Sequence, residues 1–427
     1  MALWGYKTAK IISLKDNKSM KNGTLFSLFS FINRGFSFLI ILVLASYITP
    51  AEYGYLSLFG TVVMVIGYLM AMSIEGYLSV TYFKDGSGGI KKAFSCILFT
   101  SLIVASFLLV IISLYGEKIG ELLNLNKSIL YFAVIICFFT VFTNVNLDLY
   151  RIQEKVKIYG VFSCTNAILN FAISILFVKT FLLGWQGRVY AQAICFSLFG
   201  IIGILSFASR GYLSLPDKNF WKGMLAWGVP LIPHLATTFI RQGCDRYIIN
   251  YSYSIEDVGL FSFALNMANI IGMIGVGFNQ INSVNIYKTL SNNSLDVELK
   301  RQHLKKEKDF IFKIYMVSSI FVAFGICIFT PILLPKYAGS VPYMPLLALS
   351  SFLHCLYYLY TNFLFYYNKT KTIMLVTLSC SIIHLILSLL LTRYSLYLTC
   401  IVYCVSQLLI FLFIKKKSLE VLDTNLK

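Results

Sequence analysis

Long apolar runs separated by short polar breaks dominate the chain from end to end. About twelve runs, beginning near Gly23, Ser57, Ala93, Ser128, Ile158, Val189, Val229, Val258, Phe310, Val341, Thr372 and Leu396, reach the ~20 residues a helix needs to cross ~30 Å of hydrocarbon. They do not alternate in polarity, as the ~10-residue strands of a membrane barrel would. The predicted fold class is therefore an all-α integral membrane protein with about twelve transmembrane helices. Polar positions inside the runs fall at helical spacing. Thr140, Asn144, Asp148 and Arg151 share one face of the fourth span, Asn166, Asn170 and Ser174 one face of the fifth, and Ser262, Asn266, Asn269, Met273 and Gln280 one face of the eighth. Pro230 and Pro233 at the start of the seventh span remove backbone donors and predict a hinge there.

Composition agrees with this pattern: 58% of residues are hydrophobic and 13% charged, which excludes an ordinary soluble domain. The net charge of +18 raises the question of nucleic acid, and its placement answers it. When the polar breaks are assigned alternately to two sides, one side keeps only Lys118, Lys127, Lys179, Arg188, Lys336 and Arg393. The positive-inside rule then puts both termini in the cytoplasm, so the basic excess is topology and no nucleic-acid partner is expected. Residues 1–22 are Lys-rich, lack an apolar core and do not form a cleavable signal. The ten cysteines stand almost singly in apolar runs without a C-x-x-C pair, so disulfides, zinc and other cofactors are not expected. His234, His354 and His384 read as isolated.

The chain also repeats itself. A shift of 205 residues lays Thr49–Ser57 (TPAEYGYLS, read as a short external turn) on Ser254–Ser262 (SIEDVGLFS), matching Glu52 with Asp257, Gly54 with Gly259 and Ser57 with Ser262. Two six-helix lobes follow: 1–22 a cytoplasmic basic segment, 23–208 the N-lobe, 209–228 a cytoplasmic linker, 229–414 the C-lobe and 415–427 a cytoplasmic tail. Because six is even, the repeats are parallel, related by an axis along the membrane normal.

Charges inside the spans carry the candidate chemistry, since each costs a few kcal/mol on insertion scales. Arg34 lies near the middle of the first span without a carboxylate on its own helix. Its planar fork suits a phosphate, and the structural alternative is an ion pair with Glu75 on the next span. Arg241 has Asp245 four residues on, so an intrahelical pair competes with a substrate role. Arg246 is a third candidate cation. Glu75, Asp148 and Asp245 are the candidates for ion coupling, with Asp148 beside Arg151 equally readable as a solvated pair.

The twelve spans, the T-P-A-E-Y-G turn, the segment GVPLIPHLATTFIRQGCDRYIINYSYSIEDVGLFSFA and the Leu149–Lys157 stretch LYRIQEKVK resemble the bacterial polysaccharide flippases, the O-antigen and exopolysaccharide translocases of the multidrug/oligosaccharidyl-lipid/polysaccharide superfamily. The resemblance covers essentially the whole chain. It implies a multi-pass protein of the bacterial cytoplasmic membrane, a cationic central cavity and outward translocation of an undecaprenyl-diphosphate-linked oligosaccharide. Membrane lipid and other polysaccharide-assembly proteins are the further partners. Under that reading Arg34, Arg241 and Arg246 take the diphosphate, while Asn144, Ser262, Asn266, Asn269, Gln280 and Tyr360 contact sugar. The Asn stripe of the fifth span is read as a tie between helices. Two alternatives remain. A drug or cation antiporter of the same superfamily would want a carboxylate-lined cavity. A membrane polymerase would want a large external loop or a clustered His/Asp/Glu site.

Overall fold

The structure, a computed structural model, describes residues 2–72, 74–229, 232–292 and 294–426. The described elements are helical. They comprise α1 (Ala2–Tyr47), α2 (Pro50–Ala71), α3 (Glu75–Leu123), α4 (Lys127–Ile152), α5 (Val156–Ile175), α6 (Gly184–Ser209) and α7 (Lys218–Gly228). They continue with α8 (Ile232–Gln242), α9 (Cys244–Ser252), α10 (Ile255–Ser291), α11 (Val297–Leu333), α12 (Met344–Tyr366), α13 (Thr370–Leu391) and α14 (Leu396–Asn425). Internal contacts divide the chain into two compact units. The first is Met1–Tyr47 with Val62–Ile232; the second is Ile48–Thr61 with Pro233–Lys427. The first turns of α2 therefore belong to the second unit.

Among the described residues, ten stretches are long and apolar enough to cross a membrane. Two local effects explain the difference from about twelve. The third run is not set off from the second by a loop, because α3 runs from Glu75 to Leu123 through the end of one and the whole of the other. Residues 84–92, between the two apolar runs, are helical inside α3 and interrupted only at Gly86, where φ is 61°. The seventh run is broken into α8 and α9, of 11 and 9 residues, at Gly243. Helices also run beyond the apolar windows. α10 and α11 each hold 37 residues, or about 55 Å, well past ~30 Å of hydrocarbon. Around α11, Val317, Phe321, Phe324 and Phe329 are exposed, an apolar surface that lipid, not water, accommodates.

The T-P-A-E-Y-G segment is a helix start. Glu52 N–H donates to Thr49 Oγ1 (3.2 Å) while Thr49 N–H donates to Glu52 Oε2 (2.9 Å), and Pro50 takes the first helical position, where its missing N–H costs nothing. Ser254 and Asp257 form the same reciprocal cap on α10, at 3.1 and 3.2 Å. The repeat seen in the sequence is thus a duplicated capping box. Its two glycines meet each other's helix. A Cβ on Gly54 would lie 2.1 Å from Ile255 O, and one on Gly259 would lie 1.8 Å from Pro50 O. Tyr337, fully buried, donates to the carbonyls of Ile48 and Thr49 at 3.2 Å. In the first unit, α6 approaches α4 equally closely, with Gly200 and Gly203 seated on the carbonyls of Phe139 and Phe142.

The expected linker is ordered as well. Asp217 caps α7, accepting from Asn219 N–H (2.9 Å) and Phe220 N–H (3.1 Å). α7 packs along α3, where Trp221 Nε1 donates to Thr100 Oγ1 at 2.8 Å. The backbone donors of Phe220 and Asn219, followed by the charge of Lys92, hold the Asp217 carboxyl below its usual range. With a lowered folded value, the cap is fully charged at neutral pH and is lost only as pH falls below the ordinary carboxylate range of ~4.

Gly54→Ala or Gly259→Ala must push a backbone carbonyl aside, with an expected loss of about 1–3 kcal/mol. Thermal unfolding of the purified protein in detergent checks this; Gly60→Ala, with nothing within 4 Å of the new Cβ, serves as the control and should be silent.

Candidate functional site

In the first unit, four helices enclose a polar cavity of about 440 Å³, within the ~300–1,000 Å³ range of small-molecule sites. Three of the helices supply polar side chains about one turn apart, which stack on a single face. α1 gives Asn33 and Ser37, α5 gives Ser163, Asn166 and Asn170, and α6 gives Arg188 and Gln192. Asn144 of α4 completes the polar lining, and Phe36, Ile40, Leu147 and Phe196 supply the apolar part. Arg188 Nη1 donates to Asn170 Oδ1 and to Ser174 Oγ, the latter at 2.7 Å. Among the described residues, Asn33 Oδ1 and Asn166 Oδ1 are buried without a hydrogen-bond partner.

Arg34 adjoins Asn33, about 100° further round α1. It is exposed, and among the described residues no carboxylate forms an ion pair with it. Asp148, one turn beyond Asn144, pairs with Arg151 at 2.7 Å, and that arginine is 57% exposed. Pro230 lies outside the described residues, as do the side chains of Glu75 and Pro233.

The second unit holds a different constellation, built around Asp245. This aspartate starts α9 and is fully buried. His384 Nε2 of α13 sits 2.8 Å from its Oδ2, and Ser388 Oγ donates to its Oδ1. His384 Nδ1 in turn lies 3.1 Å from Ser406 Oγ of α14, and the Tyr403 ring stands edge-on to the imidazole at 5.0 Å. The isolated reading of His384 is therefore corrected. So is the expected Arg241–Asp245 pair. The break at Gly243 separates the two residues onto different helices, and Arg241 Nε donates instead to Thr237 O at 3.4 Å. Arg246 reaches back to α2, donating to Thr61 Oγ1 at 3.1 Å and Ser57 O at 3.5 Å, a brace more than an open cation.

The eighth-span stripe does not act as one surface. Ser262 is fully buried, Asn266 Nδ2 donates to Tyr53 Oη at 2.6 Å, and Asn269 and Gln280 are exposed. Tyr360 is buried beneath Lys308 and Lys415, whose ammonium groups lie 5.8 and 6.0 Å from its ring centre. Asn266 and Tyr360 tie helices together inside the unit. The residues that sequence reading missed are Asn33, Ser37, Gln192 and Arg188, the last assigned to an external loop because the apolar run begins one residue later. Its i, i+4 partner Gln192 was the available signal.

The chain is thus a bundle of membrane-length helices with a polar cavity in the first unit and a buried carboxylate–histidine pair in the second, and its fold is like that of solved proteins of the MOP superfamily. An inward-facing multidrug resistance MATE family transporter of that superfamily matches with a TM-score of 0.73, 12% identity and coverage of 91% of this chain and 95% of that one. The lipid II flippase MurJ, in an inward closed conformation, matches with a TM-score of 0.71, 15% identity and coverage of 94% and 92%. Lsg locus protein 1 of Haemophilus influenzae is 23% identical over 349 residues, covering 79% of this chain and 82% of that protein. Residues 19–286 match the polysaccharide biosynthesis protein family. The chain belongs to that family.

Removing one partner of this buried hydrogen-bonded pair leaves the other unsatisfied and costs about 1–3 kcal/mol. Asp245→Ala and His384→Ala should each lower the thermal midpoint strongly. The double variant should lose less than the sum of the two, and a fully additive double-mutant cycle would refute the coupling.

Proposed function

We propose that the chain is a flippase that moves a polyprenyl-diphosphate-linked glycan unit across the bacterial cytoplasmic membrane. The observation that carries this reading is the amide-rich cavity of the first unit, with one cation, Arg188, and no carboxylate among the described residues of its lining. Amides and hydroxyls at several angles, beside aromatic walls, suit the hydroxyls and apolar faces of sugars. Membership of the polysaccharide biosynthesis family supports a glycan substrate, and the likeness in fold to a lipid II flippase supports a lipid-linked one.

In this reading Arg34 takes the diphosphate through paired, charge-assisted hydrogen bonds, and the polyprenyl tail remains in lipid. Arg241 is a further candidate cation. With both termini cytoplasmic, export carries about two negative charges outward across an inside-negative membrane, which gains roughly 2 kcal/mol per charge per 100 mV. Asp245, buried against His384 and Ser388, is the candidate for ion coupling in the second unit. An antiporter of cationic drugs is the second reading, favoured by the MATE-like fold, but the absence of any carboxylate in the cavity lining opposes it.

In a strain lacking the protein, lipid-linked glycan should accumulate on the cytoplasmic leaflet, read by mass spectrometry. In proteoliposomes, Arg34→Ala should slow flipping about ten-fold or more, the order expected from losing charge-assisted hydrogen bonds. Wild-type rates for that variant would sink the phosphate role, and an unchanged lipid pool would sink the flippase reading.

A further inference from the structure

Arg188 sits on a membrane-spanning helix, facing the cavity of the first unit. Both of its hydrogen bonds go to neutral groups, Asn170 Oδ1 and Ser174 Oγ, and both leave from the single nitrogen Nη1. Among the described residues no carboxylate pairs with it. A guanidinium in a low-dielectric interior is expensive unless an opposite charge accompanies it. The anion missing from the protein can come from the cavity, where Nε and Nη2 carry three further N–H donors. Around it, Asn33 Oδ1 and Asn166 Oδ1 await donors. The cavity thus offers a cation at one place and hydroxyl acceptors at others.

We propose that this cavity is a subsite for an acidic sugar, with Arg188 pairing its carboxylate or phosphate and Asn33 and Asn166 accepting from its hydroxyls. The assignment rests on the glycan-flippase reading and narrows its substrate to units that carry an anionic sugar. It concerns a group on the glycan, distinct from the carrier diphosphate assigned to Arg34. Gln192, one turn from Arg188 on the same face, is placed to contact the same ring.

The test uses the full-length protein in detergent, with saturation-transfer NMR on sodium D-glucuronate, D-glucose 6-phosphate and D-glucose. Wild type should bind at least one of the two acidic sugars about ten-fold more tightly than glucose, and the stronger of the two identifies the anion. Arg188→Gln should erase that preference and leave glucose binding in place, and Arg188→Lys should restore part of it. Equal binding of all three sugars by wild type overturns the proposal. So does an Arg188→Gln variant that melts earlier yet keeps the preference, because Arg188 would then only tie α5 to α6. Should Arg188→Gln fail to fold, the wild-type preference and its weakening in Asn166→Ala decide. Mass spectrometry of the lipid stalled in the deletion strain separates the two readings. A neutral stalled glycan removes this inference and leaves the flippase standing. Acidic-sugar binding without any stalled lipid does the reverse.

Discussion

The cost of a charge in hydrocarbon governs how this chain is built. Water is not available to solvate an ionised group there, so each one must find an opposite charge, a set of hydrogen bonds or a polar cavity. Four residues meet that demand in different ways. Asp245 takes a histidine and a serine, and is sealed from solvent. Arg246 leans on a hydroxyl and a carbonyl of α2. Arg188 opens onto a polar cavity, and Arg34 remains exposed beside it. The first two solutions are closed and hold helices in place. The last two are open, and open charges are where a ligand can contribute.

The same economy applies to the backbone. Where α2 and α10 cross within the second unit, two glycines allow main chain to touch main chain, and two capping boxes satisfy the N–H groups that the crossing would otherwise strand. Neither device depends on side-chain bulk. A contact of this kind tolerates no added methyl, which gives the crossing one defined geometry.

How much of this was legible in the sequence depends on the range of the interaction. Hydropathy locates the spans because burial in lipid is a property of each segment by itself. The echo of Thr49-Pro-Ala-Glu52 in Ser254-Ile-Glu-Asp257 was visible, although the first copy reads equally well as a turn, and only the hydrogen bonds settle it as a cap. The Arg241–Asp245 spacing suggests a pair on an unbroken helix. The break at Gly243 is a tertiary event that spacing cannot register. His384 stands alone in an apolar run, and its partner is 139 residues away. The clue was general: an ionisable residue deep in an apolar span implies a partner somewhere. Arg188 was lost to a boundary error of one turn, which is the scale on which hydropathy edges are uncertain.

That separation of 139 residues has a consequence for biogenesis. At roughly 5–20 residues per second, His384 leaves the ribosome on the order of ten seconds after Asp245. Ser57 and Thr61, the partners of Arg246, have by then long been made. Asp245 enters the bilayer before its histidine exists, on a nine-residue helix too short to span by itself. An unpartnered aspartate at the bilayer centre costs about 3 kcal/mol, so α9 has reason to wait at the interface. Arrival of α13 then supplies the imidazole, and the second unit locks only after that helix has been synthesised.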